Sequence, residues 1–351
     1  MGMLDFFHGK RVLVTGHTGF KGAWLCRLLQ LAGADLTGYA TPPPTDPALF
    51  EMADIAADMR SIIGDIRDFD KLSSVFAEAE PEVVFHLAAQ PIVRESYRIP
   101  RETYDVNVMG TVNLLEAVRK TPSVRSVVVI TTDKVYENKE WAWGYRENER
   151  LDGFDPYSGS KSCAELVAAT YRRCFFARTG VALSTARAGN VLGGGDFSPD
   201  RIMPDLVRAA LAEKPVYVRN PFAVRPYQHV LDPLFAYLLI AKRQWEDRAL
   251  ADSYNVGPDE RDALTTGELV DRFISLWGGA LTRVDCPEQS AMHEAGLLRL
   301  DTAKLRQTLG WRPCWDIDEA ISRVVEFTRA LAGGEWARDM IDRQIKAFMA
   351  E

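Results

Sequence analysis

A tyrosine and a lysine four residues apart could act together as a base. They are Tyr157 and Lys161, in the segment YSGSK. If this segment is helical, the spacing puts both side chains on one face. A lysine ammonium beside a phenol favours the phenolate, so it should lower the pKa of Tyr157 toward that of a general base. Because this spacing also arises by chance, its meaning depends on the elements around it.

A second set of reactive side chains follows the apolar residues 126–130 and comprises Thr131, Thr132, Asp133 and Lys134. The apolar run predicts a buried strand. Polar and ionisable residues at the carboxyl end of a central strand lie at the crevice where parallel sheets bind ligands. The plainer alternative is that the threonines and the aspartate only cap a turn. The tyrosine and lysine pair downstream favours the chemical interpretation.

Three glycines near the amino terminus predict a binding site for a dinucleotide. Gly16, Gly19 and Gly22 follow the apolar residues 12–14, and residues 23–31 continue with helical character. In such a strand, turn and helix, Gly16 takes the tight turn, Gly19 lets the backbone approach a pyrophosphate, and Gly22 lets the helix pack closely. The free N–H groups at the helix start attract the phosphates. Glycines also close ordinary turns, and the context of the motif decides between these interpretations.

Strands and helices alternate along the first half of the chain, which predicts an α/β fold with a doubly wound parallel sheet. After the first strand and helix, further strands are predicted at residues 35–39, 62–66, 82–87, 126–130 and 181–186. The cofactor-binding domain should span residues 1–186, joined by roughly residues 222–258. The smaller substrate-binding lobe should comprise residues 187–221 and 259–351.

The end of the second predicted strand bears on the choice of dinucleotide. It reads GYAT at residues 38–41, without the acidic residue that often binds the ribose of NAD. It also lacks an arginine or lysine for the 2′-phosphate of NADP, so NAD is favoured. Asp65 ends the third predicted strand, where it could bind the adenine amino group or cap the next helix.

Small and polar residues follow the fourth predicted strand. Ala88 and Ala89 would let a flat cofactor lie against the backbone, although close packing alone would also select them.

Asn107 lies in the strong helix predicted at residues 103–120. We interpret it as a buried residue that braces a loop, because a buried asparagine more often does this than touches a substrate.

Polar side chains beyond residue 186 are candidates for binding a pyrophosphate. They are Asn190, Arg201 and Arg225. The planar guanidinium of arginine suits phosphate geometry. Surface arginines are common, so solvent exposure is the alternative for each of them.

The composition excludes other classes of function. Forty-two basic and 49 acidic residues give a net charge of −7, without a basic run that could neutralise a nucleic-acid backbone. We therefore expect no nucleic-acid partner. The sequence has no apolar run of transmembrane length and no signal-peptide pattern, so we expect no membrane association.

The cysteines and histidines do not form a metal-binding pattern. The five cysteines contain no C-x-x-C pair, which favours buried reduced thiols over disulfides or a zinc site, and hence a cytoplasmic setting. The five histidines, of which the last is His293, lack metal-ligand spacing, so we expect no metal.

Together these motifs resemble the extended short-chain dehydrogenase/reductases that act on nucleotide sugars. The finer pattern resembles the CDP-glucose 4,6-dehydratase family over nearly the whole chain, through HTGFKG at residues 17–22, TDKVYEN at 132–138, RAGNVLGGGD at 187–196 and RPYQHV at 225–230. The resemblance implies a Rossmann domain with a small C-terminal lobe over the sugar nucleotide. In the related dTDP-glucose and GDP-mannose dehydratases, the position of Lys134 is typically glutamate, the base that removes the C5 proton. The identity of that base is therefore left open.

The resemblance also implies a reaction, the conversion of CDP-glucose to CDP-4-keto-6-deoxyglucose with NAD. Tyr157 would take the C4 hydroxyl proton while hydride passes from C4 to NAD+. Lys161 would hold the nicotinamide ribose, and Thr132 would orient the C4 oxygen. After the C5 proton leaves, Asp133 would protonate the departing C6 hydroxyl and hydride would return to C6. A closed lobe would retain the intermediate.

The site expected from this resemblance has three parts. The catalytic residues are Thr132, Asp133, Lys134, Tyr157 and Lys161. The cofactor-binding residues are Gly16, Thr18, Gly19, Phe20, Lys21, Gly22, Asp65, Ile66, Leu87, Ala88, Ala89, Tyr157 and Lys161. The substrate-binding residues are Gln90, Arg94, Thr132, Asn190, Arg201 and Arg225. The family also implies a homodimer through the helices at residues 103–120 and 156–178, and a product used for deoxysugars of lipopolysaccharide or other glycans.

Two alternatives remain open. A dehydratase of another nucleotide hexose, or a nucleotide-sugar 4-epimerase, would share the tyrosine and lysine pair. An epimerase needs no acid for the C6 hydroxyl, so Asp133 discriminates between dehydration and epimerisation. A non-catalytic NAD-binding scaffold or sensor could use the same fold, but its catalytic side chains need not be intact.

Overall fold

Short apolar runs of the sequence form the strands of the protein. A computed structural model describes residues 2–279, 281–286 and 296–351. In chain order its strands are β1 (Arg11–Thr15), β2 (Asp35–Ala40), β3 (Arg60–Ile63), β4 (Val83–His86), β5 (Ser126–Thr132), β6 (Ala182–Ala188), β7 (Asn190–Leu192), β8 (Val216–Val218), β9 (Val224–His229), β10 (Ser253–Val256), β11 (Ala263–Thr265) and β12 (Arg283–Asp285).

Amphipathic segments between the strands form the helices. They are α1 (Phe20–Leu31), α2 (Leu49–Met52), α3 (Phe69–Ala79), α4 (Val93–Arg98), α5 (Pro100–Tyr104), α6 (Gly110–Arg119), α7 (Pro156–Tyr171), α8 (Ala177–Thr179), α9 (Ile202–Leu211), α10 (Leu231–Glu246), α11 (Thr266–Trp277), α12 (Ala303–Leu309), α13 (Ile317–Ala332) and α14 (Ala337–Met349). None of these helices is both long and apolar enough to cross a membrane, as judged over the described ranges.

Seven strands form one parallel sheet in the order β10-β6-β5-β4-β1-β2-β3. The predicted α/β fold with a doubly wound parallel sheet is confirmed. The strand order reverses between β1 and β4, and ligands of such sheets bind at the carboxyl ends of the strands beside this reversal. Neighbouring residues of β1 face opposite sides, since Val12 packs in the cluster with α1 and α10 whereas Leu13 packs in the cluster with α3 and α6.

Smaller sheets build the region that follows β6. One has the order β11-β9-β7, in which β7 and β9 are parallel and β11 is antiparallel to β9. The other pairs β8 with β12. A separate apolar cluster lies beneath these sheets and contains residues of α9, α11 and α13. The last helix, α14, packs instead with α1 in the first domain, where Arg27 Nε lies 2.6 Å from Asp342 Oδ1. The domain boundaries themselves stay a prediction.

A π-helical turn interrupts the helix predicted at residues 103–120. The segment consists of α5, the π turn Asp105–Met109, and α6. The extra residue of such a turn re-aims the local side chains. Asn107 lies in this turn and is buried. The helix predicted at residues 103–120 is therefore confirmed, and it contains one π turn.

Some predicted helix ends and strand ends also differ. β3 ends at Ile63, so Asp65 lies beyond the strand. Asp65 does not cap the following helix, because Asp68 is the cap and its Oδ1 accepts a hydrogen bond from Lys71 N (3.1 Å). The helix α11 begins with a reciprocal capping box formed by Thr265 and Glu268.

The cysteines are all free, as the sequence predicts, but they are not all buried. Cys26 is buried, Cys163 and Cys314 are half-buried, and Cys174 and Cys286 are exposed. The expectation of buried thiols is therefore wrong for Cys174 and Cys286. Both lie in surface segments, and the number and spacing of the cysteines do not indicate which of them are exposed.

Candidate active site

Three strand ends meet at the reversal of the central sheet. Gly16 follows β1, Leu87 follows β4, and Thr132 ends β5. Because parallel strands present their carboxyl ends at one edge, these segments share a crevice. The predicted reactive residues are therefore brought together by topology, although they are separated by more than a hundred positions along the chain.

The glycine turn is shaped by contacts that exclude side chains. Gly16 has φ +75°, and a Cβ there would lie 2.7 Å from Ala88 N. A Cβ on Gly22 would lie 2.1 Å from the carbonyl oxygen of Gly16. Gly19 is the N-cap of α1, and its own Cβ would meet only the same carbonyl, at 3.5 Å. The first turn of α1 therefore offers its N–H groups without a covering cap side chain, which fits the pyrophosphate of NAD.

A buried lysine lies in the first turn of α1. Lys21 Nζ donates a hydrogen bond to the hydroxyl of Tyr237 (3.4 Å). Burial lowers the pKa of Lys21 to about 7, with Arg201 and Lys161 adding to the effect and Asp133 and Asp196 opposing it. Lys21 thus lies close enough to the catalytic groups to interact with their charges.

Other predicted cofactor-binding residues line the same turn or lie farther along the sheet edge. Thr18 Oγ1 donates to the carbonyl of Thr41 (2.9 Å), and the ring of Phe20 borders Gly193. Asp65 accepts hydrogen bonds from Arg67 N and from the Arg67 guanidinium, at 2.6–3.0 Å. Ile66 is buried against Gly110. The adenine-binding role of Asp65 stays a prediction.

The helix that carries the proposed base is set by local capping. Asp155 is the N-cap of α7, and its Oδ1 accepts a hydrogen bond from Ser158 N (2.9 Å). Pro156 occupies the first helical position, where its fixed φ suits the helix and its missing N–H costs nothing. The predicted helix over Tyr157 and Lys161 is confirmed, and both side chains are buried one turn apart.

The pKa of Tyr157 does not follow the expectation from the sequence. Burial raises the pKa of Tyr157 to about 12, although a hydrogen bond with Thr132 and the charge of Arg201 act to lower it. The prediction of a pKa below the ordinary value is therefore wrong in this pocket, because burial of the phenol outweighs the nearby favourable contacts.

Lys161 is held against the strand beside it. Its Nζ donates a hydrogen bond to the carbonyl of Ile130 (3.2 Å). Burial lowers the pKa of Lys161 to about 8, and the carboxylate of Glu165 opposes this shift. That Lys161 lowers the pKa of Tyr157 and holds the nicotinamide ribose stays a prediction.

The end of β5 forms a compact charged group. Thr132 Oγ1 donates to Asp133 Oδ1 (2.9 Å), and Lys134 Nζ contacts the same oxygen (2.9 Å) and Asn190 Oδ1 (3.2 Å). Asp133 is fully buried, and its Oδ2 has no hydrogen-bond partner in the described part of the chain. A buried carboxyl group with one unshared oxygen is suited to exchange a proton with a group placed beside it.

The loop after β4 is braced by an asparagine. Asn107 Oδ1 accepts a hydrogen bond from Gln90 N (2.8 Å), while its Nδ2 donates to Gln90 O (3.1 Å) and Ser160 Oγ (2.9 Å). The bracing role predicted for Asn107 is confirmed. Gln90 uses its own amide within the loop, since Nε2 donates to Thr103 Oγ1 (2.9 Å) and Oε1 accepts from Ile92 N (2.5 Å).

The predicted substrate-binding residues fall on several elements. Asn190 contacts Lys134 at the start of β7. Arg201 precedes α9 and pairs with the buried Asp196 at 3.6 Å. Arg225 is buried in β9, where its Nη1 donates to Val224 O (2.9 Å). Arg94 lies on α4. Their roles toward a substrate stay predictions.

Three of the described histidines, His17, His86 and His229, form local hydrogen bonds. His86 Nδ1 lies 2.7 Å from Thr15 Oγ1, and burial lowers the pKa of His86 to about 3. Within the ranges that the structure covers, no group of three or more histidine, cysteine, aspartate or glutamate residues could hold a metal ion. His293 lies outside the described residues.

Sequence reasoning missed three buried residues around the site. Tyr237 contacts Lys21 from α10, Asp196 holds Arg201, and Glu165 faces Lys161. Glu165 left a signal, because it follows Lys161 by four positions and so shares its helical face. Asp196 ends the motif at residues 187–196 and lies five positions before Arg201. Tyr237 is brought in by the tertiary fold.

Known proteins share this arrangement over nearly the full chain. The model of the GDP-mannose 4,6 dehydratase family matches residues 13–324. The CDP-glucose 4,6-dehydratase of Salmonella typhimurium is 47% identical over 352 residues, covering 99% of this chain and 98% of that protein. The dTDP-glucose 4,6-dehydratase of Xanthomonas campestris pv. campestris is 27% identical, with 94% and 95% covered.

A solved structure extends the similarity to the fold and its cofactor. The UDP-glucose 4-epimerase of Thermus thermophilus, solved in complex with NAD, superposes with a TM-score of 0.79 at 26% identity. The alignment covers 91% of this chain and 98% of the epimerase.

Proposed function

The chain belongs to the GDP-mannose 4,6-dehydratase family within the extended short-chain dehydrogenase/reductases, and on that premise we propose that it converts CDP-glucose to CDP-4-keto-6-deoxyglucose. It is an NAD-dependent hydro-lyase. The choice of CDP-glucose rests on the 47% identical relative of that name. When bound, NAD would serve as the oxidant of C4 and the hydride source for C6, and the glycine turn after β1 would hold its pyrophosphate.

Tyr157 begins the reaction by taking the proton of the C4 hydroxyl. Thr132, whose side chain acts to lower the pKa of Tyr157, orients the same oxygen. Because burial raises the pKa of Tyr157 to about 12, positive charge must gather near the phenol for it to act as a base at neutral pH. Arg201 already contributes such charge, and Lys161 on the same helix is the second source.

Asp133 and Lys134 carry the loss of water. The new C4 ketone acidifies the C5 proton, and the C6 hydroxyl needs an acid in order to leave. Lys134 Nζ lies 2.9 Å from Asp133 Oδ1, so the two groups can pass a proton between them as the reaction proceeds. The amine can accept the C5 proton, while the acid can donate to the departing C6 oxygen.

The observation that carries this proposal is the buried carboxyl of Asp133 next to Thr132 and Lys134. Asp133 is fully buried and its Oδ1 accepts hydrogen bonds from both neighbours. A 4-epimerase only oxidises and reduces C4 and has no use for an acid at C6. A non-catalytic scaffold has no use for either ionisable group.

The experiment is an incubation in deuterated water with NAD+ and, in separate samples, the CDP, dTDP, UDP and GDP hexoses. Loss of one water from CDP-glucose, with one deuterium at C5, is the expected result in mass spectrometry and NMR. Dehydration of a different nucleotide would keep the chemistry and reject CDP-glucose. A change of configuration at C4 without water loss would favour the epimerase. Unchanged sugars together with bound NAD would favour the scaffold.

We also propose a homodimer through the helices at residues 103–120 and 156–178. Large apolar side chains on these segments are exposed, at 41% for Tyr104, 48% for Met109, 56% for Leu166 and 40% for Phe175. Burying such a face against a second copy would remove it from water. Sedimentation of Leu166→Glu should show monomers where the wild type shows dimers.

We propose that the protein works in the cytoplasm. The five cysteines are free thiols in the described chain, which suits the reducing cytoplasm. The 4-keto-6-deoxy product is a reactive sugar nucleotide, so a consuming step in deoxysugar synthesis, including that of lipopolysaccharide, should follow.

A further inference from the structure

The helix that carries Tyr157 and Lys161 also carries a buried carboxylate. Glu165 lies one turn beyond Lys161, with its side chain 1% exposed. Its oxygens accept hydrogen bonds from four donors on neighbouring elements: Thr131 Oγ1 (2.6 Å), Thr185 Oγ1 (2.8 Å), Arg187 Nη2 (2.8 Å) and Ser253 Oγ (3.3 Å). These donors hold the pKa of Glu165 below its ordinary value despite burial, so the group is charged at neutral pH.

The four donors join the catalytic helix to three strands. Thr131 belongs to β5 and directly precedes Thr132, Thr185 and Arg187 belong to β6, and Ser253 begins β10. Lys161 adds a contact to the residue before Thr131, since its Nζ donates to Ile130 O (3.2 Å). The helix with the base is therefore fixed to the strand with Thr132 at two consecutive residues.

Arg187 extends this network toward the loop that follows β5. Its side chain is 4% exposed, and Nη1 donates to the hydroxyl of Tyr136 (2.8 Å) and to Glu147 O (3.0 Å). A buried ion pair of this kind is seldom more stabilising than apolar residues of similar volume. Stability alone is thus a poor reason for a charged pair in this position.

We propose that Glu165 is a positioning residue of the dehydratase: its carboxylate fixes the Tyr157 helix against the strand that ends at Thr132 and sets the electrostatic field at Lys161. Arg187 balances that field through its ion pair with the carboxylate (2.8 Å). This inference rests on the proposed function, because it concerns how the tyrosine and lysine pair is held ready for the C4 oxidation.

The charges around Lys161 make the direction of this effect clear. Glu165 on the same helix raises the pKa of Lys161, while burial lowers it to about 8. His86 on β4 and Lys21 on α1 also interact with the Lys161 charge, and burial lowers the pKa of His86 to about 3 and that of Lys21 to about 7. Within this group, Glu165 supplies the negative charge and Arg187 compensates it.

Removing the two charges should shift the pH profile in opposite directions. Without the negative charge, the tyrosine and lysine pair releases its first proton more easily, so the acid limb of kcat/KM moves to lower pH by about one unit in Glu165→Gln. In the same variant, a smaller fraction of the enzyme has a charged lysine beside a phenolate. The plateau value of kcat/KM at high pH should therefore fall about tenfold. Arg187→Met removes the compensating positive charge and should move the same limb to higher pH.

The test measures kcat/KM against pH for CDP-glucose at saturating NAD+, with the wild type, Glu165→Gln, Arg187→Met and Arg187→Lys. The lysine variant is the matched control, because it keeps the charge of Arg187 and loses only the guanidinium geometry. The acid limb of its kcat/KM profile should lie within a few tenths of a pH unit of the wild-type limb. Thermal unfolding of each variant separates loss of fold from loss of charge. If Glu165→Gln does not fold, the methionine and lysine variants still test the field.

A merely structural role predicts a different result. Both Glu165→Gln and Arg187→Met would then lose activity in step with their stability, and their acid limbs would coincide with that of the wild type. That outcome would overturn the proposal. Absence of dehydration by the wild type would instead reject the proposed function, so the two failures are distinguishable.

Discussion

The glycine turn after β1 and the charged end of β5 lie at the same edge of the central sheet, and different forces shape them. The turn is fixed by backbone contact, since a Cβ on Gly22 would lie 2.1 Å from Gly16 O. The end of β5 is fixed by hydrogen bonds between ionisable side chains, including Lys134 Nζ to Asp133 Oδ1 at 2.9 Å. The first region should therefore fail through added volume and the second through removed charge.

Added volume in the turn is expected to have the broadest effect, because it changes both the stability of the fold and the binding of NAD. Gly22→Ala places a methyl group against backbone atoms that cannot move aside, so we expect NAD binding to weaken by at least about a hundredfold and the free energy of unfolding to fall by about 1–3 kcal/mol. Calorimetric titration with NAD+ and urea unfolding measure both quantities.

Gly19→Ala is the control for this experiment. Its Cβ would meet only Gly16 O, at 3.5 Å, so it should unfold like the wild type and weaken NAD binding alone. Equal losses of stability in the two variants would contradict the steric account of the turn.

The next effect concerns chemistry without added volume. Tyr157→Phe removes only the hydroxyl that we propose as the acceptor of the C4 proton, so it should lower the rate of cofactor reduction by about 10³-fold and leave the fold intact. Stopped-flow absorbance of NADH with CDP-glucose measures this rate. Tyr254→Phe is the matched control, since Tyr254 is a buried tyrosine whose hydroxyl donates to Leu250 O (2.5 Å). If both variants lose reduction equally, Tyr157 is not the base.

A smaller effect is expected at Asn107, which joins the loop after β4 to the helix α7. Asn107→Leu removes the hydrogen bonds to Gln90 and Ser160, so the free energy of unfolding should fall by about 1–3 kcal/mol because buried partners are left unpaired. Asn113→Leu, on α6, serves as the control because its Nδ2 reaches only carbonyls at a more open position. A larger fall in the free energy of urea unfolding for Asn113→Leu than for Asn107→Leu would count against the bracing role.

The last effect lies outside both regions, concerns stability alone and depends on pH. Burial raises the pKa of Asp232 from 3.8 to about 7, against hydrogen bonds from Cys314 N and Trp315 N. The folded state keeps this proton after the unfolded state has lost it, so the stabilisation is complete below about pH 4 and is lost as the pH rises through about 7.

The asparagine side chain of Asp232→Asn cannot ionise. This variant should therefore not show the loss of folding stability that ionisation of Asp232 causes. Relative to the variant, the wild type should lose stability between about pH 4 and about pH 7. Urea unfolding at a series of pH values measures the difference, and Asp35→Asn, at an exposed position, should run parallel to the wild type. Parallel curves for Asp232→Asn would refute the raised pKa.

The same contrast between the two regions explains what the sequence could predict. The parallel sheet, the glycine turn and the helix over Tyr157 and Lys161 depend on local patterns of apolar residues, glycines and caps, and each was confirmed. The bracing role of Asn107 followed from its polarity inside an apolar helix. These features require only neighbours along the chain or the general rules of parallel sheets.

Features that depend on burial escaped prediction. The raised pKa of Tyr157 comes from desolvation in a pocket built by several elements, and the contact of Tyr237 with Lys21 joins residues more than two hundred positions apart. The helix cap at Asp68 was missed because Asp65 is an equally good cap by type. Only the course of the backbone after β3 distinguishes them.

The most direct test of the central claim follows both half-reactions in Asp133→Asn. After rapid mixing with NAD+ and CDP-glucose, the absorbance of NADH reports the C4 oxidation, and mass spectrometry reports the loss of water. If Asp133 is the acid for the C6 hydroxyl, the variant should still form NADH but release little dehydrated product. Dehydration at the wild-type rate, or loss of NADH formation equal to that of Tyr157→Phe, would contradict the account.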